Sequence, residues 1–330
     1  QPGSAFKPIV ALAALGRSEG DVPAFTLASV VDDAPLSLKT SRGMWQPSNY
    51  DGEFRGPVTV RQALEESLNV PFVRIGMAVG PSRIVATAKQ LGITSPLPAV
   101  PSLALGSAEV TLLELVRAYG VLANGGSLAR TQMVLANYTS EASSNGADAT
   151  AVIDPAAAWL VTSALQGVVD HGTGAGLQER IGYSGMAGKT GTSSDWRDAW
   201  FVAYSPTLVV GVWVGHDDGR SLRATGSAAA LPIVADFLAV ALEQGEVGEF
   251  EMPSGITEGR AGIAAGEWYD GCGTTEYFLE GTEPAQQDCF EIELPDMQEL
   301  NEIGSALQRR AERLFEALIA RGIEQRRGRQ

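Results

Sequence analysis

Three short groups of residues in this chain have types and spacings that suit acyl transfer. In Gln1-Pro2-Gly3-Ser4-Ala5-Phe6-Lys7-Pro8, Ser4 and Lys7 stand three apart. The apolar run Ile9, Val10, Leu12, Leu15 that follows reads as a helix, with Ser4 and Lys7 on its first-turn face. A serine hydroxyl is a weak nucleophile at neutral pH and needs a neighbouring base. A lysine can be that base only when burial and nearby positive charge disfavour its ammonium form. A helix N-terminus adds unpaired N–H groups and a positive dipole end, both suited to a developing oxyanion. Taken alone, an N-cap serine followed by a solvated lysine is the simpler reading of the pair.

The second group is Ser67-Leu68-Asn69, placed just before Pro71 at the end of a helix that Thr59 caps and that runs from Val60 to about Ser67. From an extended turn, Ser67 and Asn69 point the same way. A hydroxyl and an amide held together can relay a proton and orient a substrate amide, although in isolation they equally make a helix-terminal turn. The third is Lys189-Thr190-Gly191-Thr192. On a strand, Lys189 and Gly191 face one way and Thr190 and Thr192 the other. Gly191 lets a substrate approach the strand edge, where a peptide gains main-chain hydrogen bonds. Lys189 supplies charge near Lys7 and near a substrate carboxylate.

The elements that must position these groups alternate helix and strand. Residues 26–40 read as short strands or a hairpin, and Trp45 to Gly52 as a surface loop or one wall of a substrate groove. Helices are expected over 72–92 (one or two), Glu109–Leu122 and from Asp154-Pro155 to about Val169. Between them, 128–137 reads as a strand or hairpin, and Gly172-Thr173-Gly174 as a tight turn. Runs at Met186–Thr192, Asp198–Tyr204 and Leu208–Val214 make an antiparallel meander, and a helix over Ala228–Leu242 packs on it.

The 330 residues are 45% hydrophobic, enough for a sizeable core, and no apolar run reaches membrane-spanning length. The net charge of −15 is concentrated: Glu243 to Glu302 holds sixteen acidic residues and one basic, Arg260. The main body is therefore near neutral, and nothing in it is basic enough for nucleic acid. Two histidines, His171 and His216, are too few for a convincing metal site or a Ser-His-Asp triad, and no cofactor is expected. Cys272 and Cys289 stand seventeen apart and read as a disulfide, which places the chain outside the cytoplasm. Only Gln1-Pro2-Gly3 precedes Ser4, so an upstream part with any targeting segment is expected outside this chain. The divisions expected are 1–242, an acidic loop-rich tail over 243–296, and a charged C-terminal helix within 297–330.

In the order Ser4/Lys7, Ser67/Asn69, Lys189/Thr190/Gly191, the three groups resemble the motif set of penicillin-binding proteins and class A β-lactamases. The middle motif is Ser-Leu-Asn rather than Ser-Asp-Asn, which points to penicillin-binding proteins. Further stretches are similar to the transpeptidase domain of class A, bifunctional members: Gln1-Pro2-Gly3-Ser4, Trp45 through Gly56, Arg61-Gln62-Ala63-Leu64, Pro101 through Gly106, Asn124-Gly125-Gly126, Arg197 through Val202 and Gly211 through Gly215. Glu276-Tyr277-Phe278 and Gly281 to Pro284 resemble the tail after that domain, so the similarity covers about residues 1–290.

The resemblance implies an α+β fold of the serine β-lactamase/D,D-peptidase type, an antiparallel sheet flanked by helices. The first sheet strands and a membrane-anchored glycosyltransferase domain would lie upstream of this chain, leaving three strands with Leu208–Val214 as an edge. It implies that Ser4 is acylated by the penultimate D-alanine of a peptidoglycan stem peptide while Lys7 takes its proton. Ser67 would pass a proton to the leaving amine, and Asn69 would hold the peptide and Lys7. Lys189, Thr190 and Thr192 would bind the substrate carboxylate, and the N–H groups of Ser4 and Thr192 would form the oxyanion hole. β-Lactams would acylate the same serine. The implied location is extracytoplasmic, with the membrane anchor upstream. Two other activities remain open: a β-lactam-binding sensor, and a serine β-lactamase or D,D-carboxypeptidase. The last needs a carboxylate to activate water. Glu109 and Glu114 lie between the second and third motifs, but each fits the helix over 109–122 better. A fourth reading is a fragment with structural value only.

Overall fold

The computed structural model describes residues 1–17, 23–41, 43–131, 149–244, 248–264, 267–270 and 274–284. Gln1–Gln287 forms one compact unit. A second, Asp288–Gln330, lies outside the described residues, and so do Cys272, Cys289 and the helix expected from Met297.

Ser4 sits in a 3-10 turn, Gly3–Phe6, that runs directly into helix α1, Lys7–Leu15. Pro8 opens the helix without losing a hydrogen bond, since the first N–H groups have no partner there. All nine residues of α1 are buried, Lys7 included. An all-apolar helix of this kind belongs at the centre of a core, and α1 packs against the helices that follow.

Strand β1, Val30–Asp33, is followed by the hairpin β2, Leu38–Thr40, and β3, Gly43–Trp45. The partner of β1 is β4, Gly56–Thr59, across the whole turn-rich loop. The hairpin expected within 26–40 therefore divides between two sheets. Thr59 caps α2, Val60–Glu65, by accepting from the Gln62 N–H. Helix α3, Asn69–Val79, and α4, Pro81–Gln90, are two helices because Gly80, at φ 90°, and Pro81 break the run.

Helix α5, Leu112–Ala123, starts three residues later than the apolar pattern suggests. Thr111 and Glu114 form a capping box that fixes its first turn. Strands β5, Ser127–Leu128, and β6, Thr150–Ala151, pair with each other, and most of the strand expected over 128–137 lies outside the described residues. Asp154 caps α6, Pro155–Asp170, as its sequence demands, and α7, Gly176–Ile181, follows.

The expected meander is present as β7, Ala187–Thr192, β8, Asp198–Tyr204, and β9, Val209–Gly215, antiparallel in the order β7-β8-β9. Among the described residues β9 pairs only with β8, which leaves it an edge. Alternation on β8 divides the core. Trp200, Val202 and Tyr204 face the main cluster with α1, and Phe201 and Ala203 face a second cluster. Val234 and Leu238 of that second cluster come from α9, Leu231–Gln244, which follows the short α8, Gly226–Ala229.

The tail departs from expectation. Within the stretch expected to be loop-rich, β10, Ile256–Ala264, pairs with β11, Glu267–Asp270, on one side and β12, Thr274–Leu279, on the other. Acidic residues and glycine interrupt its apolar alternation, so the strand period is weak in the sequence. Pairing and docking supply what local pattern does not: Tyr277 stacks edge-on against Trp159 of α6 at 4.9 Å, and Phe278 and Leu279 are buried.

Glu114 does more than cap. One carboxylate oxygen accepts from the Thr94 N–H, the Thr94 hydroxyl and the Ser95 N–H, and the other from the Ser95 and Thr111 hydroxyls and the Thr111 N–H. Burial alone would raise its pKa, but hydrogen bonds from Ser95, Thr111 and Thr94 outweigh it and hold the carboxyl well below the usual range. Glu114→Gln is expected to lose about 2 kcal/mol of stability at pH 7. A depressed carboxyl contributes fully above its unfolded pKa and loses that contribution as pH falls. The gap between wild type and variant should therefore narrow in acid, which urea titrations at pH 7 and near pH 3 would measure.

Candidate active site

The three groups separated in sequence meet at the base of one cleft. Lys7 donates to the Ser67 carbonyl at 2.6 Å, to Ser67 Oγ at 3.2 Å and to Asn69 Oδ1 at 2.8 Å. Lys189 donates to the same Ser67 Oγ at 2.8 Å and to the Thr190 carbonyl at 3.3 Å. Neither lysine has any exposed surface. Burial first, and then the like charge of Lys189, push the Lys7 pKa well below that of an ordinary lysine. Burial lowers Lys189 to about 7. A neutral amine at this site is therefore accessible near neutral pH. Ser67 Oγ can accept from both lysines and still donate its own proton.

Ser67 adopts φ 58°, the left-handed region that a serine enters only under constraint. The constraint comes from both sides. Behind it, Leu68 N donates to Ala63 O at 2.9 Å and closes the end of α2. Ahead of it, buried Asn49 accepts from the Asn69 and Val70 N–H groups through Oδ1, at 2.8 and 3.2 Å, and so caps α3 from a distant loop. The Asn49 amide in turn donates to both oxygens of buried Asp33, at 2.9 and 2.8 Å, and to Glu53 O. Asn69 Nδ2 donates to Ser48 O at 2.9 Å, which leaves Oδ1 facing Lys7. The turn-rich loop is thus a wall of the cleft and also the support of its second motif. Asn49 and Asp33 were not singled out in the sequence; the density of turn formers around Asn49 was their only sign.

Ser4 is half-buried on the cleft wall, and its turn packs closely on β7. A Cβ on Gly3, at φ 55°, would lie 2.2 Å from Thr192 O, and one on Gly191 would lie 2.4 Å from Pro2 O. Gly191 is therefore packed under the nucleophile turn rather than exposed along the cleft. Tyr119 of α5, buried, donates to Ala5 O at 2.8 Å and fixes the far side of that turn. Thr190 and Thr192 line the cleft, and Thr190 Oγ1 lies 3.0 Å from Thr173 Oγ1 in the turn after α6. Thr173, read only as part of a tight turn, is thus a cleft residue.

The cleft, about 680 Å³, is lined by Ser4, Ser67, Asn69, Thr190 and Thr192, with the two lysines beneath it. A larger groove of about 1240 Å³ lies beside it and is lined by Trp45, Val100, Trp213 and Glu109 but by none of the motif side chains. The exposed motif side chains all line the smaller cleft. His216 lines the groove, and His171 contacts Glu65 at 3.0 Å.

Residues 1–239 match the family model described as the penicillin binding protein transpeptidase domain. The chain belongs to that family. It is 37% identical over 286 residues to penicillin-binding protein 1A of Rickettsia bellii, covering 78% of this chain and 35% of that protein. To penicillin-binding protein 1A of Neisseria cinerea it is 36% identical over 283 residues, covering 82% and 34%. Among solved structures, that of penicillin-binding protein 1A from Haemophilus influenzae superposes with a TM-score of 0.77 at 28% identity, over 88% of this chain and 49% of that one. The chain thus spans about a third of the length of the curated relatives it matches. The α+β fold expected from the motifs is that of penicillin-binding protein transpeptidase domains.

The strained serine gives a test independent of catalysis. Ser67→Ala and Ser67→Gly both remove the hydroxyl, but only glycine relieves the positive φ. Ser67→Gly is expected to be the more stable of the two by about 1 kcal/mol. Equal denaturation midpoints would show that the turn carries no strain.

Proposed function

We propose that the chain carries out D,D-transpeptidation of peptidoglycan stem peptides. Ser4 is the acylated nucleophile, and the full-length protein is extracytoplasmic with an upstream membrane anchor and glycosyltransferase domain. The observation that carries this reading is the Ser67 hydroxyl shared between two buried lysines beside Ser4. Lys7, once neutral, accepts the Ser4 proton as the oxygen attacks the penultimate D-alanine carbonyl. Ser67, between the lysines, passes a proton to the departing D-alanine amine. The N–H groups of Ser4 and Thr192 receive the oxyanion, a role supported by the contact of Gly3 with the Thr192 backbone. Thr190 and Thr192 hold the substrate carboxylate, and Lys189, buried beneath them, supplies charge to it from below. An amine of a second stem peptide then attacks the acyl-enzyme and closes the cross-link. No helix among the described residues is long and apolar enough to cross a membrane, so an anchor would come from elsewhere in the full-length protein.

The hydrolytic alternative gains no support from the acids on which it would depend. Both oxygens of Glu114 are already engaged, and Glu109 lines the larger groove instead of the cleft. Glu66, beside Ser67, is held by Arg55 at 3.4 Å and by Gln62 at 2.8 Å.

Incubation with a fluorescent penicillin is expected to leave an adduct on Ser4 that survives for hours, located by peptide mass spectrometry and absent in Ser4→Ala. Rapid loss of the adduct would favour a β-lactamase, and a folded protein without adduct would refute the reading. The lysine pair makes a second prediction. The acylation rate should rise with pH as Lys7 loses its proton. Lys189→Met removes the like charge that helps depress Lys7, so the acid limb of the profile should move to higher pH. An unmoved limb would mean that Lys189 does not tune the base.

A further inference from the structure

The tail sheet is joined to the catalytic domain through a charged cluster that the mechanism does not use. Arg61 of α2 grips Glu276 of β12 with two parallel hydrogen bonds, Nε to Oε2 and Nη2 to Oε1, both 2.7 Å. The same guanidinium reaches Ser163 Oγ at 3.0 Å and Glu65 Oε1 at 3.3 Å. Glu276 and Glu65 are both buried. Helix α6 is cut away to admit the Glu65 carboxylate, since a Cβ on Gly167 would lie 2.1 Å from Oε1.

This cluster leads to the site by two short routes. Glu65 is the last residue of α2, two positions before Ser67, so whatever fixes its side chain fixes the start of the strained turn. Its carbonyl accepts from the Thr173 N–H at 3.3 Å and its other carboxylate oxygen contacts His171 at 3.0 Å, which pins the turn after α6. The Thr173 hydroxyl then meets Thr190 on β7 at 3.0 Å. A buried ion pair is a poor source of net stability compared with apolar packing of the same volume, because both charges lose their hydration. What a bidentate guanidinium–carboxylate pair does supply is fixed distance and direction.

We propose that Glu276 is a positioning residue for the transpeptidase site. It acts through Arg61 and Glu65 to hold Ser67 against the lysines and Thr173 against Thr190. The tail sheet is then a working part of the catalytic unit rather than an appendage. The proposal rests on the function assigned to the cleft above.

The test uses the whole chain and a fluorescent penicillin in stopped-flow, which separates the non-covalent dissociation constant from the acylation rate constant k2. Thermal melts set a working temperature at which each protein is fully folded. Glu276→Gln, nearly isosteric and uncharged, is expected to lower k2 by about tenfold with the dissociation constant within about twofold of wild type. A role in stability alone would lower the melting temperature and leave k2 of the folded protein unchanged, and that result overturns the proposal. Where Glu276→Gln does not fold, Arg61→Lys keeps the charge and loses the fork. The same selective loss of k2 is expected from it, and its absence overturns the proposal equally. Wild-type protein that is not acylated at Ser4 refutes the functional reading and this proposal together. Wild-type acylation with unchanged k2 in the variant refutes this proposal alone.

Discussion

Two lysine side chains are buried around a single serine hydroxyl, and most of the structure follows from what that arrangement costs. Each ammonium gives up its hydration, and Lys7 and Lys189 repel one another across Ser67. A carboxylate partner would ease the conflict but would also hold the proton on Lys7, the base of the proposed mechanism. The protein relieves it by partial deprotonation and by neutral oxygen acceptors: the Ser67 carbonyl, the Ser67 hydroxyl and the Asn69 amide. Such acceptors are useful only if they are held at hydrogen-bonding distance from the ammonium. This explains why Ser67 is locked into an unfavourable backbone region and why a distant asparagine is spent on capping the helix that carries Asn69.

The nucleophile is under a different constraint, which is steric. Its turn lies directly on β7, as the oxyanion hole proposed for the N–H groups of Ser4 and Thr192 requires. Close approach of two backbones excludes side chains between them, and Gly3 and Gly191 are the residues at the contact. The turn cannot slide along the strand, because Tyr119 holds the Ala5 carbonyl and α1, buried over its whole length, continues straight from it. Polar acceptors thus set the protonation state of the base, while backbone contact sets the position of the nucleophile.

How much of this could be read beforehand depended on the range of the interaction. Capping is local, so Thr59 and Asp154 announce their helices within three residues. The meander was legible because β-rich runs there are separated by short turns, and the motif residues by their types and spacing. The start of α5 was misplaced because Val110 continues the apolar period upstream, whereas Thr111 and Glu114 decide the first turn. The supports of the site were least legible. Asn49 reaches α3 from twenty residues away, and Arg61 meets its carboxylate across 215. Nothing in a local pattern specifies such a partner. The strands of the tail share this difficulty, since their acidic, glycine-interrupted sequence gains strand structure from pairing and from Trp159.

The fate of the acyl group follows from how the acids around the cleft are used. Water is a poor nucleophile and needs a carboxylate or similar base within hydrogen-bonding reach, whereas an amine carries its own nucleophilic lone pair and needs only to lose a proton afterwards. Among the described residues, the acids that line the cleft are Asp51, Glu66 and Asp195. Asp51 and Glu66 are both bound by Arg55, and Asp195 is paired with Arg197 on the exposed rim. Arg55 therefore holds two of the cleft's acids as ion-pair partners. In the proposed mechanism the base beside the acyl group is the lysine–serine set, which takes the proton from the amine nitrogen once that nitrogen has attacked. Acids held by arginine and lysines stripped of charge by burial are what the proposed transfer to an amine, rather than to water, would require.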